Sequence, residues 1–251
     1  MALYIIGLGL GSEKDITEKG LEAVRNCNFI YIDTYTSILP ADIKKLEDFY
    51  GKKIIPATRE LVEKQAEEEI LKKAVENDVA FLVVGDVFSA TTHVDLALRA
   101  RKAGIKLHLI HNASILTAIG DTGLSLYKFG KTTSIPFENK DVEAPYDVLK
   151  ENAGMHTLFL LDLRPDEGNF MSAKDAVEYL LNVEAKRKEK VFNEDTMCLA
   201  CVRLGFDDGE IVYASAKQLL KQKLSKYPQC LIVPGKLHFM EEEYLKGFEV
   251  K

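Results

Sequence analysis

Apolar residues in the first half of the chain gather in short unbroken runs, Leu3–Ile6, Phe29–Ile32 and Val79–Val84, and in Ile105–Ile110 around Lys106 and His108. Between them, apolar positions recur at helical spacing on otherwise charged segments. Unbroken apolar runs mark strands covered on both faces, and the segments between them mark amphipathic helices. The pattern predicts strands over the apolar run Ala2–Ile6 that leads into the glycines, and over Asn28–Asp33, Lys52–Ile55, Asp78–Val84 and Ile105–Ile110. The first helix presents Ile16, Leu21 and Val24 to the core, starts at a capping box of Asp15 with Glu18, and ends near Cys27. Further helices are predicted over Asp42–Tyr50, over Arg59–Asn77 with Leu61, Ile70, Leu71, Ala74 and Val75 facing inward, and over Val94–Ala103. Gly104 closes the last of these. Strands alternating with helices define a mostly parallel sheet flanked by helices.

Past Thr122 the alternation becomes irregular. Strand candidates are Thr132–Phe137, Met155–Leu163, Thr196–Leu204 and Gln229–Val233, with helices at Tyr146–Asn152, Ser172–Lys190 and Ala214–Lys223. The expected architecture is α/β in two domains. Residues 1–112 form an N-terminal domain with a mostly parallel five-stranded sheet, and residues 113–251 form a C-terminal domain with a mixed sheet and helices. The cofactor is expected in the cleft between them.

Composition narrows the function classes only a little. Hydrophobic content of 47% and charged content of 29% describe an ordinary soluble globular protein. A net charge of −6 argues against nucleic acid as a partner, since phosphate binding uses clustered Lys and Arg. The run Leu3–Leu10 lacks the positive flank of a signal peptide, and no stretch reaches the length of a membrane span. Cys27, Cys198, Cys201 and Cys230 show no disulfide spacing, which implies a reducing, cytoplasmic compartment. Cys198 and Cys201 lie three apart on a predicted strand, so they point to opposite faces and share no metal.

The candidate chemistry sits at strand ends. In an open parallel sheet ligands bind outside the carboxyl ends of the strands. Gly7–Gly11, Gly85-Asp86 and His111–Ile115 should therefore converge, with Asn112 or Ser114 capping the next helix. A dinucleotide is the serious competitor: Gly7-Leu8-Gly9 is two-thirds of a Gly-x-Gly-x-x-Gly turn, with Ser12 in the third place and Asp33 positioned for a ribose. That alternative makes the protein an NAD-type oxidoreductase or a silent nucleotide-binding module. No Gly-Lys-Ser/Thr follows the turn, no nucleophile elbow is present, and His93, His108, His111, His156 and His238 lack metal-ligand spacing. Of the histidines, His93 and His111 belong to the expected crevice edge. A cofactor carrying its own reactive group is what remains.

Longer motifs point further. Ile5-Ile-Gly-Leu-Gly-Leu-Gly11, Asp15-Ile-Thr17, Gly20-Leu21, Tyr35-Thr-Ser37, Ala90-Thr-Thr-His93, His111-Asn-Ala-Ser-Ile115, Gly123-Leu124, Tyr127-Lys-Phe-Gly130 and Val233-Pro-Gly-Lys-Leu-His238 together resemble the diphthine synthases. These are tetrapyrrole-methylase-like methyltransferases that use S-adenosylmethionine, and the resemblance runs from Leu3 to about Leu245. It implies cofactor contacts at Leu10, Asp86, Ser89, Ser114, Ile115, Leu161, Leu204 and Gln229, with backbone contacts where the residue is Leu or Ile. It also implies a homodimer, and an acceptor on translation elongation factor 2. That acceptor is an amino-carboxypropyl-histidine of diphthamide biosynthesis, methylated repeatedly to diphthine or its methyl ester. A small-molecule, tetrapyrrole-type methylase of the same fold is the alternative within enzymes. Val87, Ser89 and Gln229 depart from the residues usual in the family, and Glu138–Tyr146 is short and lacks a Trp-Pro element. No catalytic base is legible.

Overall fold

In a computed structural model that describes residues 1–39 and 41–250, the chain divides into two compact units, Met1–Ala118 and Ile119–Lys251. The expected boundary at 112/113 and this division bracket one helical turn, Ile115–Ala118.

In the first unit the strands are β1 (Ala2–Gly7), β2 (Phe29–Asp33), β3 (Ile55–Ala57), β4 (Val79–Val83) and β5 (Lys106–Ile110). They form one sheet in the order β3-β2-β4-β1-β5, with every pairing parallel. Alternate residues serve alternate faces. Leu3, Ile5, Tyr31, Val79 and Phe81 share one core with Val62, Ala66, Ile70, Leu96 and Ala100. Ile6, Ile30, Ile32, Ala80 and Leu82 share the other with Ile16, Val24, Leu46 and Tyr50. The helices are α1 (Glu18–Asn26), α2 (Ile43–Tyr50), α3 (Arg59–Lys64), α4 (Lys72–Glu76), α5 (Val94–Lys102) and α6 (Ile115–Ala118).

Three local expectations are corrected. The capping box is Ser12 with Asp15, around a short 3-10 turn, and Thr17 caps α1 by accepting from the Gly20 amide. Asp15 turns back because the amides of Gly11 and Ser12 need an acceptor, and its carboxylate takes them at 2.7 and 3.3 Å. The third strand begins at Ile55, because the Ile54 amide donates to Glu47 at 2.9 Å. It runs through Pro56, which an edge strand tolerates. The helix expected over Arg59–Asn77 is broken after Lys64 and resumes through a π-helical turn, Glu67–Leu71. The wider turn rotates the face that follows, so Val75 ends 60% exposed while Val62 and Ala66 enter the core.

The second unit holds β6 (Thr133–Ile135), α7 (Ala144–Glu151), β7 (Thr157–Leu161), the hairpin β8 (Leu163–Arg164) and β9 (Asn169–Phe170), and α8 (Ala173–Arg187). Then come β10 (Met197–Val202), β11 (Glu210–Ser215), α9 (Ala216–Leu219), β12 (Gln229–Val233) and α10 (Phe239–Leu245). The sheet order is β11-β10-β12-β7-β6, antiparallel except for the β6–β7 pair, so the expected mixed sheet is present. Where a helix was expected from Ala214, β11 runs to Ser215 and pairs Tyr213 with Leu199. The helix starts only after Ser215, which forms a capping box with Gln218. Cys198 belongs to the core cluster under α8, whereas Cys201 lies opposite Cys230 across the β10–β12 ladder. The two cysteines of the Cys-x-x-Cys run therefore face apart.

Candidate functional site

The sheet order sets β1 between β4 and β5, so the three chain segments leaving their carboxyl ends are neighbours. They are also tied together. Past its last sheet pairing, β1 continues with the Leu8 amide on the Val83 carbonyl at 2.8 Å. Gly9 and Gly85 then exchange both backbone hydrogen bonds, at 3.1 and 2.8 Å. Gly85 has φ of +80°, a region barred to most side chains. Gly7 is required for a different reason: a Cβ there would stand 2.6 Å from the Gly85 carbonyl oxygen and 3.0 Å from the Asn112 Cβ.

Asn112 binds the third segment to the other two. Its side-chain Nδ2 donates to the Gly7 carbonyl at 3.0 Å and to the Asp15 carbonyl at 2.9 Å. Its backbone N–H donates to Asp86 Oδ1 at 2.9 Å. The other oxygen of Asp86 accepts from the Ser89 hydroxyl at 3.3 Å, and His111 Nδ1 stands 2.9 Å from Oδ1. Burial alone would raise the Asp86 carboxyl, but the Asn112 amide and the His111 ring outweigh it and hold the group below its ordinary value. Asp86 is thus a carboxylate at neutral pH.

Of the residues singled out in the sequence, five meet here. A Cβ on Gly85 would lie 3.6 Å from Ser114 Cβ and 3.8 Å from Leu10 Cδ2, which places Leu10, Gly85 and Ser114 side by side. Asp86 and Ser89 are hydrogen-bonded, and Ile115 opens α6 just after Ser114. Ser114, rather than Asn112, caps that turn, by accepting from the Leu116 amide at 3.2 Å.

The other three belong to the second unit. Leu161 ends β7, Gln229 begins β12 opposite Val202, and Leu204 lies two residues past β10, so all three sit at one end of that sheet. The Gln229 side chain is occupied. Its Oε1 accepts from the Ala173 amide at 2.8 Å, and its Nε2 donates to the carbonyls of Leu224 and Lys226 at 3.2 and 2.8 Å.

The dinucleotide alternative loses its ribose acid. Asp33 is 1% exposed, and its carboxylate accepts from the amides of Tyr35 and Thr36 and from the Thr36 hydroxyl. His93, expected at the crevice edge, is fully buried instead. It lies 3.4 Å from Asp33 and packs edge-on against Phe81 and Tyr35. Sequence reasoning missed Asn112 as a three-way tie and Asp15 as the acceptor for the glycine turn. The only available sign was an Asn and an Asp beside glycines with free amides.

These features define an α/β fold in which the loops leaving β1, β4 and β5 are tied together at the carboxyl ends of the strands. The family described as Tetrapyrrole (Corrin/Porphyrin) Methylases matches residues 2–220. The chain is 46% identical to the diphthine methyl ester synthase of Dictyostelium discoideum, covering 100% of this chain and 99% of that one. It is 44% identical to the diphthine synthase of Methanocaldococcus jannaschii, covering 97% of each. A crystal structure of a diphthine synthase superposes with a TM-score of 0.89 at 35% identity, covering 99% of this chain and 96% of that one. The chain belongs to the tetrapyrrole methylase family, in its diphthine synthase branch.

Proposed function

We propose that the protein is an S-adenosylmethionine-dependent methyltransferase of diphthamide biosynthesis. On this reading it methylates the amino-carboxypropyl-histidine intermediate on translation elongation factor 2, giving diphthine or its methyl ester. The observation that carries the reading is the chemistry of the strand-end loops. Gly7–Gly11, Gly85–Ser89 and His111–Ile115 contain no Lys or Arg, and their one acidic side chain is the carboxylate of Asp86, held ionised. A pyrophosphate needs free amides at the glycine turn, and those of Gly11 and Ser12 are taken by Asp15, whereas a ligand bearing a sulfonium and an ammonium finds an anion at Asp86. The names of the relatives support the same assignment.

In this reading Leu10, Ser114 and Ile115 hold the cofactor along the backbone, and Asp86 and Ser89 supply its polar contacts. Leu161, Leu204 and Gln229 are carried as contacts by the family resemblance. The cofactor supplies an activated methyl group, whose bonding pair returns to sulfur on transfer. The protein's task is alignment of the acceptor nitrogen with that methyl. A homodimer acting in the cytoplasm is part of the proposal. Among the described residues, no helix is long and apolar enough to cross a membrane.

Purified protein, labelled S-adenosylmethionine and the partially modified elongation factor provide the test. Label is expected on the factor. Absence of label on a competent acceptor, or label on a porphyrinoid instead, overturns the reading.

A further inference from the structure

We propose that His111 is the general base of this methyl transfer, oriented by Asp86. The inference rests on the methyltransferase reading above and adds the residue that prepares the acceptor.

An alkyl amine is protonated at neutral pH, and a protonated nitrogen has no lone pair with which to attack a methyl group. Each transfer to nitrogen therefore begins with loss of a proton. Across the three strand-end loops only Asp86 and His111 carry ionisable side chains. The Asp86 carboxylate is engaged by the Asn112 amide, the Ser89 hydroxyl and the His111 ring, and its side chain is 13% exposed. It is also too weak a base for an amine. The His111 side chain is 65% exposed. With Nδ1–H donating to Asp86 at 2.9 Å, Nε2 keeps its lone pair. A base oriented through its other nitrogen by a carboxylate is the arrangement used in acid–base catalysis on unrelated folds.

The orienting carboxylate is itself fixed, since Asn112 holds it and is in turn held by the carbonyls of Gly7 and Asp15. No other histidine of the first unit offers this. His93 is buried, and His108 stacks on Tyr4 with centroids 4.6 Å apart.

The step balances within the protein and solvent. The acceptor N–H bond breaks, its electron pair stays on nitrogen as the attacking lone pair, and the proton goes to His111 Nε2. The resulting imidazolium faces the Asp86 carboxylate and releases the proton to water. Each methylated ammonium product must lose one further proton before the next transfer, until no N–H remains. A carboxylate acceptor needs no such step.

The test uses His111→Ala in the full-length protein, with the elongation-factor acceptor and labelled S-adenosylmethionine. We expect kcat for nitrogen methylation to fall about 100-fold while calorimetric affinity for S-adenosylhomocysteine holds, and added imidazole to restore rate. Independently of turnover, 15N NMR of the parent should show His111 protonated at Nδ1 and free at Nε2, and Asp86→Asn should disturb that tautomer. Unchanged kcat, loss of affinity in step with rate, or no response to imidazole overturns the proposal. If the parent itself transfers no label, the methyltransferase reading falls and the base falls with it. Equal transfer by parent and variant removes only the base.

Discussion

The Lys128 ammonium lies 2.5 Å from Oε2 of Glu241, a carboxylate that is 2% exposed. Glu241 also accepts from the amides of Ser125 and His238, at 2.9 and 2.8 Å, and stands 3.4 Å from His156 Nε2. The other nitrogen of His156 accepts from the Gly235 amide at 3.0 Å. One buried carboxylate thereby ties Tyr127–Gly130 to Val233–His238, two of the motifs behind the family resemblance. Their first role in the structure is to build the second unit. Glu241→Ala leaves the two amides without their acceptor and Lys128 with the Lys236 carbonyl alone, and is expected to cost about 3–5 kcal/mol of stability. Urea unfolding of parent and variant measures it, and a loss under about 1 kcal/mol would refute this account.

The same group predicts a pH dependence. Burial by itself would raise the Glu241 carboxyl, but Lys128 and the amides of His238 and Ser125 hold it well below the usual range. A carboxyl depressed in the folded state contributes stability that is complete above its unfolded value of about 4.3 and is lost as pH falls toward the folded value. The stability gap between parent and Glu241→Gln should therefore narrow between about pH 5 and pH 3. A gap constant over that interval would show that the charge contributes nothing.

Asn112 should matter to fold and ligand together. Asn112→Ala removes the donors to Gly7 and Asp15, and should lower stability by about 1–3 kcal/mol. It should also weaken S-adenosylhomocysteine binding in calorimetry, because the segment whose backbone amide holds Asp86 loses its side-chain ties to Gly7 and Asp15. Asn112→Asp should be worse, since it sets an anion against two carbonyl oxygens and beside Asp86. A variant ordering with Asp milder than Ala would contradict the hydrogen-bond directions assigned here.

Gly7→Ala probes the close approach of β1 to the β4 loop. The new methyl meets the Gly85 carbonyl oxygen at 2.6 Å, so the loop must move, at a cost of about 1–3 kcal/mol. At Gly247 a Cβ meets nothing within 4 Å, and Gly247→Ala should stay within about 0.5 kcal/mol of the parent. Thermal melts of the two variants make the comparison, and equal behaviour would show that the approach is not constrained.

The first unit was legible because its inner strands β1, β2 and β4 are buried on both faces. Unbroken apolar runs then carry the signal, and the strand-end rule locates the loops without side-chain detail. What escaped depended on interactions remote in sequence. Val75 turns outward because of a π-helical turn with no compositional mark, and β3 slides onto Ile55 because Glu47 claims the Ile54 amide. In the second unit β11 was hidden because Ala214, Ala216 and Leu219 continue a plausible helical stripe across a strand end. The family resemblance singles out Leu10, Asp86, Ser89, Ser114 and Ile115, which lie together at the strand ends. The pairing of Asp86 with His111, twenty-five residues apart, was not legible, because neither residue reveals its partner.

The reciprocal hydrogen bonds between Gly9 and Gly85 make the loops beyond β1 and β4 one mechanical piece. A step of antiparallel pairing closes over the end of a parallel sheet, so neither loop opens without breaking the other. On the proposed reading S-adenosylmethionine meets a floor already set, and the ordering cost of binding falls on the side chains above it. The amides of Gly9 and Gly85 should accordingly exchange with solvent on the timescale of the sheet rather than that of a surface turn.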